Sequence, residues 1–186
     1  MDIDKVLKKR ASIRKYSNKP VSMNQILDCV EAATLAPCPG NFSAIKFILI
    51  KDIDQIKEIT KAAQQPFLEQ ASNIIIVCSD KTNCEKLYGN RADKYIEQYV
   101  GAVIENMLLK ITDLGLVSCW IGAFSDITIK RILKIPDNMD IKAIIPIAYQ
   151  HKTNKEKQKP KSKLKDVLYF EEWKNKEYKK TKMIRN

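Results

Sequence analysis

Apolar positions along this 186-residue chain switch repeatedly between helical and extended spacing, and each switch marks an element. Ile3, Val6 and Leu7 share one face of a helix predicted over residues 2–10, after which the chain from Arg10 to Tyr16 reads as extended. Ser22-Met23-Asn24-Gln25 has the spacing of a capping box, in which a hydroxyl and an amide three residues apart satisfy each other's free backbone N–H groups. The helix it opens carries Ile26, Leu27, Val30 and Leu35 and ends before Pro37. Pro37-Cys38-Pro39-Gly40-Asn41 is a turn. Residues 45–50 read as a strand, and residues 52–63 as a short helix that buries Ile53, Ile56 and Ile59. Residues 74–78 are apolar throughout, which places that strand in the middle of a sheet.

Residues 93–114 form the longest predicted helix, apolar over far more than one stripe, so it is buried in the domain or shared with another subunit. Gly115 is placed to end it. A third strand follows at residues 116–120, then a short helix capped by Asp126 and ending near Leu133. A fourth strand spans residues 139–149, where Pro146 implies an edge or a bulge. The charged remainder offers one further strand at residues 167–170. Alternating helices and strands imply an α+β or α/β sheet packed on helices. With no repeat and no compositional break, residues 1–186 read as a single domain.

Composition narrows the chemistry. No apolar run is long enough to span a bilayer, and the N-terminus lacks the apolar core of a secretory signal, so a cytoplasmic protein without membrane contact is expected. Cysteines at 29, 38, 78, 84 and 119 form no CxxC pair, and the sole histidine is His151; neither a disulfide framework nor a metal site is expected. The net charge of +11 invites a nucleic-acid partner. Its distribution argues against one: residues 151–186 hold 13 Lys+Arg against 5 Asp+Glu, leaving only +3 for the rest.

Four segments could carry chemistry. Arg10-x-Ser12-x-Arg14 can converge on one anion, because alternate side chains of extended chain share a side and guanidinium groups suit phosphate; otherwise it is a solvated helix end. Asn41 closes a rigid loop with an amide able to read a heterocycle edge, or simply completes a turn. In Ser118-Cys119-Trp120-Ile121-Gly122-Ala123-Phe124, Gly122 would admit a flat ligand close to the backbone, while Trp120 could as well be a core aromatic. Lys159-Pro160-Lys161-Ser162-Lys163 is a basic run, solvated or bound to an anion.

Taken in order, Arg10-x-Ser12-x-Arg14, Ala36-Pro37-Cys38 through Asn41, Ala102 to Asn106, Ser118-Cys119-Trp120-Ile121-Gly122 and Lys161-x-Lys163 resemble the FMN-dependent nitroreductase family, over residues 3–173. The resemblance implies an α+β fold with a central mixed or antiparallel sheet flanked by helices, in an intertwined homodimer with FMN at two interfacial sites. It also implies that Arg10, Ser12 and Arg14, with Lys161 and Lys163, hold the phosphate and ribityl chain. Pro37, Cys38 and Asn41 would come from the partner subunit, Ile121 and Gly122 would lie over the flavin ring, and Gln65 would offer an amide to it. No protein side chain is then needed as catalyst: NAD(P)H would reduce the flavin, and a nitroaromatic, quinone or similar acceptor would reoxidise it in a ping-pong cycle. Departures from the family pattern are Ser43-Ala44 in place of a Gln-Pro pair, Tyr99 in place of Asp, and Lys for Arg in the tail. The chain is at the family's short end, so a lid helix is expected to be absent or reduced. Flavin cleavage, dehalogenation or another dehydrogenation on the same fold is an alternative, and a basic nucleic-acid-binding module is another.

Overall fold

The computed structural model describes residues 2–153 and 162–178, which fall in two compact units, Met1–Glu156 and Lys157–Asn186. In the first unit the helices are α1 (Ile3–Lys9), α2 (Met23–Thr34), α3 (Ile53–Ala63), α4 (Thr82–Tyr88), α5 (Ala92–Asp113) and α6 (Asp126–Leu133). Its strands are β1 (Tyr16–Ser17), β2 (Ile45–Ile50), β3 (Ile74–Ser79), β4 (Asp140–Pro146) and β5 (Tyr149–Gln150). β2, β3 and β4 form an antiparallel sheet in that order, while β1 pairs antiparallel with β5. This is the α+β arrangement with helices on both faces of the sheet.

Local chemistry sets the helix starts. The Ser22–Gln25 capping box forms at α2, and the Asp52 carboxylate accepts from the Asp54 and Gln55 N–H groups at 3.1 and 2.9 Å to open α3. β3 is central as expected, with all six residues buried. Its side chains alternate between two cores. Ile75 and Val77, with Ala143 and Ile145 of β4, meet α2 and α5; Ile74, Ile76 and Cys78, with Ile144, meet α3, Leu68 and α6. Each fully buried isoleucine contributes roughly 1.5–3 kcal/mol, so this sheet organises the unit. α5 lies against the first core and turns Ile96, Val100, Val103, Ile104, Met107 and Ile111 into it. Its apolar girth is therefore largely consumed within one chain.

Three expectations are corrected. Residues 116–120 form no continuous strand: Val117 and Ile121 make isolated antiparallel bridges to Ala148 and Ile144. The pair between them would set Cys119 opposite Pro146, which has no N–H to give, so the ladder loses that rung. β4 is accordingly shorter than predicted, and it is an edge strand of its sheet. Residues 167–170 are not a strand either. In the second unit a single turn, α7 (Leu164–Val167), is followed by chain whose N–H groups bond locally, Leu168 to the Leu164 carbonyl at 3.0 Å and Phe170 to that of Asn175 at 2.9 Å. The helix α4 went unpredicted; Asp80 caps its start by accepting from the Thr82 N–H and hydroxyl at 3.0 and 2.6 Å.

Candidate functional site

α1 ends where Arg10 gives its N–H to the Val6 carbonyl at 2.8 Å. The chain then straightens, and the Ile13 N–H donates to the Ser118 carbonyl at 2.9 Å, with Ser12 paired in parallel to Ser118. Ile13 and Tyr16 are buried and fix the segment; the Tyr16 hydroxyl returns to the Ile13 carbonyl at 2.8 Å. Burial pushes that phenol far above its ordinary range, the Cys119 side chain adds to the effect, and Arg14 opposes it. Between these anchors Ser12 stays half-buried and Arg14 is exposed, with no ion pair to any described residue. Arg10 is 24% exposed and lies 3.5 Å, Nε to Oε1, from Glu105 of α5.

The segment from Val117 to Gly122 runs beside the arginine segment. The Ser118 hydroxyl is buried without a partner among the described residues, and a buried hydroxyl left unpaired costs about 1–3 kcal/mol. Ile121 is buried, while Gly122 is exposed and a Cβ added there would meet nothing within 4 Å. Trp120 is 39% exposed, so it is not the core aromatic that the sequence also allowed.

Two loops close around this corner. The Ser125 N–H donates to the Ala62 carbonyl at 2.9 Å, tying the end of the Ser118–Phe124 segment to α3. Gln65, half-buried, opens the 3-10 turn Pro66–Gln70, and Gln70 accepts the Tyr16 N–H at 3.1 Å. Phe67 meets the Tyr16 ring edge-on at 6.0 Å. Ile13, Tyr16, Phe67, Leu68, Cys119, Ile121 and Phe124 thus belong to one core. The arginine segment, the Gln65 turn and the Ile121–Gly122 segment are brought together.

Pro37, Cys38 and Asn41 are not brought there. Cys38 packs on the opposite core, against α2 and α5, and its loop turns at Gly40, φ 61°, and Asn41, φ 59°. A Cβ at Gly40 would sit 2.8 Å from Leu87 of α4. Pro37 and Asn41 are exposed. Lys161 lies outside the described residues, and Lys163, exposed, caps α7 in the second unit. Glu105 and Gln70 escape a reading of the sequence because their partners, Arg10 and Tyr16, are distant along the chain; only the Ala102–Asn106 match touches one of them.

Chemically, the corner offers guanidinium and hydroxyl groups for an anion beside open backbone for a flat group. Among the described residues no group of His, Cys, Asp and Glu could hold a metal, and no helix is long and apolar enough to cross a membrane. The nitroreductase family profile matches residues 7–66 and 57–149. An Archaeoglobus fulgidus protein provisionally named NADH dehydrogenase/NAD(P)H nitroreductase is 31% identical over 150 residues, 78% of this chain and 83% of that one. The crystal structure of a nitroreductase family protein from Clostridium novyi NT superimposes with a TM-score of 0.75 at 26% identity, covering 94% of this chain and 96% of that one. An FMN-dependent nitroreductase from Clostridium difficile R20291 gives 0.76 at 25% identity, over 90% and 98%. Profile, relative and fold agree: this chain belongs to the nitroreductase family.

Proposed function

We propose that the chain is an FMN-dependent oxidoreductase that uses NAD(P)H to reduce nitroaromatics, quinones or similar acceptors, working as a homodimer. The observation that carries this reading is the pairing of Ser12 with Ser118, which sets the Arg10–Arg14 segment beside the strip that runs on to the open backbone at Gly122. FMN fits that corner: a phosphate needs guanidinium and hydroxyl donors, and the Ser118 hydroxyl has no partner among the described residues.

Arg10, Ser12 and Arg14 would hold the phosphate end, each charge-assisted bond contributing roughly 1.5–3 kcal/mol. Ile121 and Gly122 would face the ring, the backbone there placing an N–H at its edge, and Gln65 would present its amide. Cys38, which packs on the other core of its own chain, would serve the partner's site with the exposed Pro37 and Asn41. A bound flavin would supply the redox chemistry between nicotinamide and acceptor. The backbone N–H at Gly122 would stabilise negative charge on the ring system. Exposed Trp120 would border the acceptor space.

The test is a visible spectrum of the purified protein. Flavin bands that bleach on addition of NAD(P)H and return with a nitroaromatic or quinone are expected. Protein that is colourless and takes up no added FMN would sink the reading.

A further inference from the structure

We infer that Glu105 is a positioning residue for Arg10, holding its guanidinium ready for the flavin phosphate. This rests on the reading of Arg10 as a phosphate ligand. Arg10 is the first residue past α1, its backbone already fixed by the bond to Val6. Its long side chain would otherwise be free to sample many rotamers. Glu105 reaches it from α5 and meets it at Nε, 3.5 Å away. A guanidinium presents five N–H groups in a rigid fork, so engagement at Nε leaves the outer Nη groups for a second anion. An arginine already held in this way loses less freedom when it grips a phosphate.

Glu105 is itself well placed to do this. The next residue, Asn106, donates to the Ala32 carbonyl at 3.4 Å, pinning this turn of α5 to the end of α2. Its carboxylate also repels a nearby phosphate, and the two effects oppose each other. Glu105 lies 3.5 Å from the Arg10 Nε, whereas a phosphate gripped by the outer Nη groups would stand farther from the carboxylate, so the attraction exceeds the repulsion. Orientation wins.

The experiment compares wild type, Glu105→Gln and Glu105→Asp, titrating the full chain with FMN and with riboflavin, which differs only in lacking the phosphate. Asp keeps the charge but is one methylene too short. Both variants are expected to bind FMN about fivefold or more weakly, a loss of the order that freeing one held side chain brings, with riboflavin affinity and Tm unchanged. FMN affinity that is unaltered or higher in Glu105→Gln, or unaltered in Glu105→Asp, overturns the proposal, since Glu105 would then be only a competing charge. Equal losses for both flavins with a lower Tm overturn it too, in favour of a scaffold role. Wild type that binds FMN no better than riboflavin is a separate failure, that of the phosphate role of Arg10 itself.

Discussion

Arg14 is exposed and has no ion pair to a described residue, so replacing it should cost the fold little and the proposed phosphate site much. Arg14→Glu is expected to leave Tm within a degree or so and weaken FMN binding by about a hundredfold, as losing one or two charge-assisted bonds implies; stoichiometric flavin retained through gel filtration would refute the assignment. Gly40 makes the opposite prediction. Its φ of 61° and the 2.8 Å that would separate an added Cβ from Leu87 mean that Gly40→Ala should destabilise by about 1 kcal/mol or more, readable as a lower urea midpoint. The buried thiols give a pH dependence. Burial, with Asp28 adding, pushes Cys29 up to about 12, and burial pushes Cys78 up to about 11. A thiol in the unfolded chain titrates near about 8.5, so the folded values are raised; the stabilisation is whole below about pH 8.5 and drains as pH climbs through 11 and 12. Urea midpoints at neutral pH and at about pH 10 should show the fall, with a shallower one in Cys29→Ala. Single residues are legible in the sequence where type alone carries meaning, as with the arginines or the glycine of a turn. Glu105 is not, because its role depends on a contact between α5 and the end of α1 that no local pattern encodes.

Elements are legible where one chemical signal dominates. The Ser22 box and the unbroken apolar run of β3 read through to structure, whereas Ile53, expected on the buried side of α3, is exposed. The strand expected at residues 116–120 fails on a residue far along the chain: Pro146 cannot supply the N–H that Cys119 would need. Pro146→Ala should restore the missing donor, and hydrogen exchange should find the new amide at 146 protected; fast exchange there would show that the gap has another cause. The bulge at Val77/Cys78 is equally silent in the sequence. It lets β4 skip Lys142 in the pairing, so Ile141 and Ala143 face different cores although two apart. Lys142 then swings to Glu97 of α5 and to Asp140, at 2.7 and 3.3 Å. Burial works against its charge, but those carboxylates outweigh it and hold its pKa above the ordinary lysine value.

At the scale of the molecule, the sheet divides the proposed site residues between two cores, Ile121 on one and Cys38 on the other. That division is what an interfacial site built from two chains requires, and mixing tests it. Arg14→Glu and Asn41→Ala chains should each bind FMN poorly alone, yet co-expressed chains should regain one intact site in every mixed dimer. No recovery would mean that both residues serve the site of their own chain. Composition foretells none of this division between cores; the family resemblance implies a site shared by two chains, and the mixing experiment is what tests it. The absent rung at Pro146 has a consequence of its own for the molecule. The strip bearing Trp120 is moored at Val117 to Ala148, at Ser118 to the arginine segment and at Ile121 to Ile144, like a footbridge on three piers. Trp120, half out of the core between buried Cys119 and Ile121, can be replaced without re-registering the framework, so on the proposed reading a substitution there would shift acceptor range while the scaffold keeps its stability.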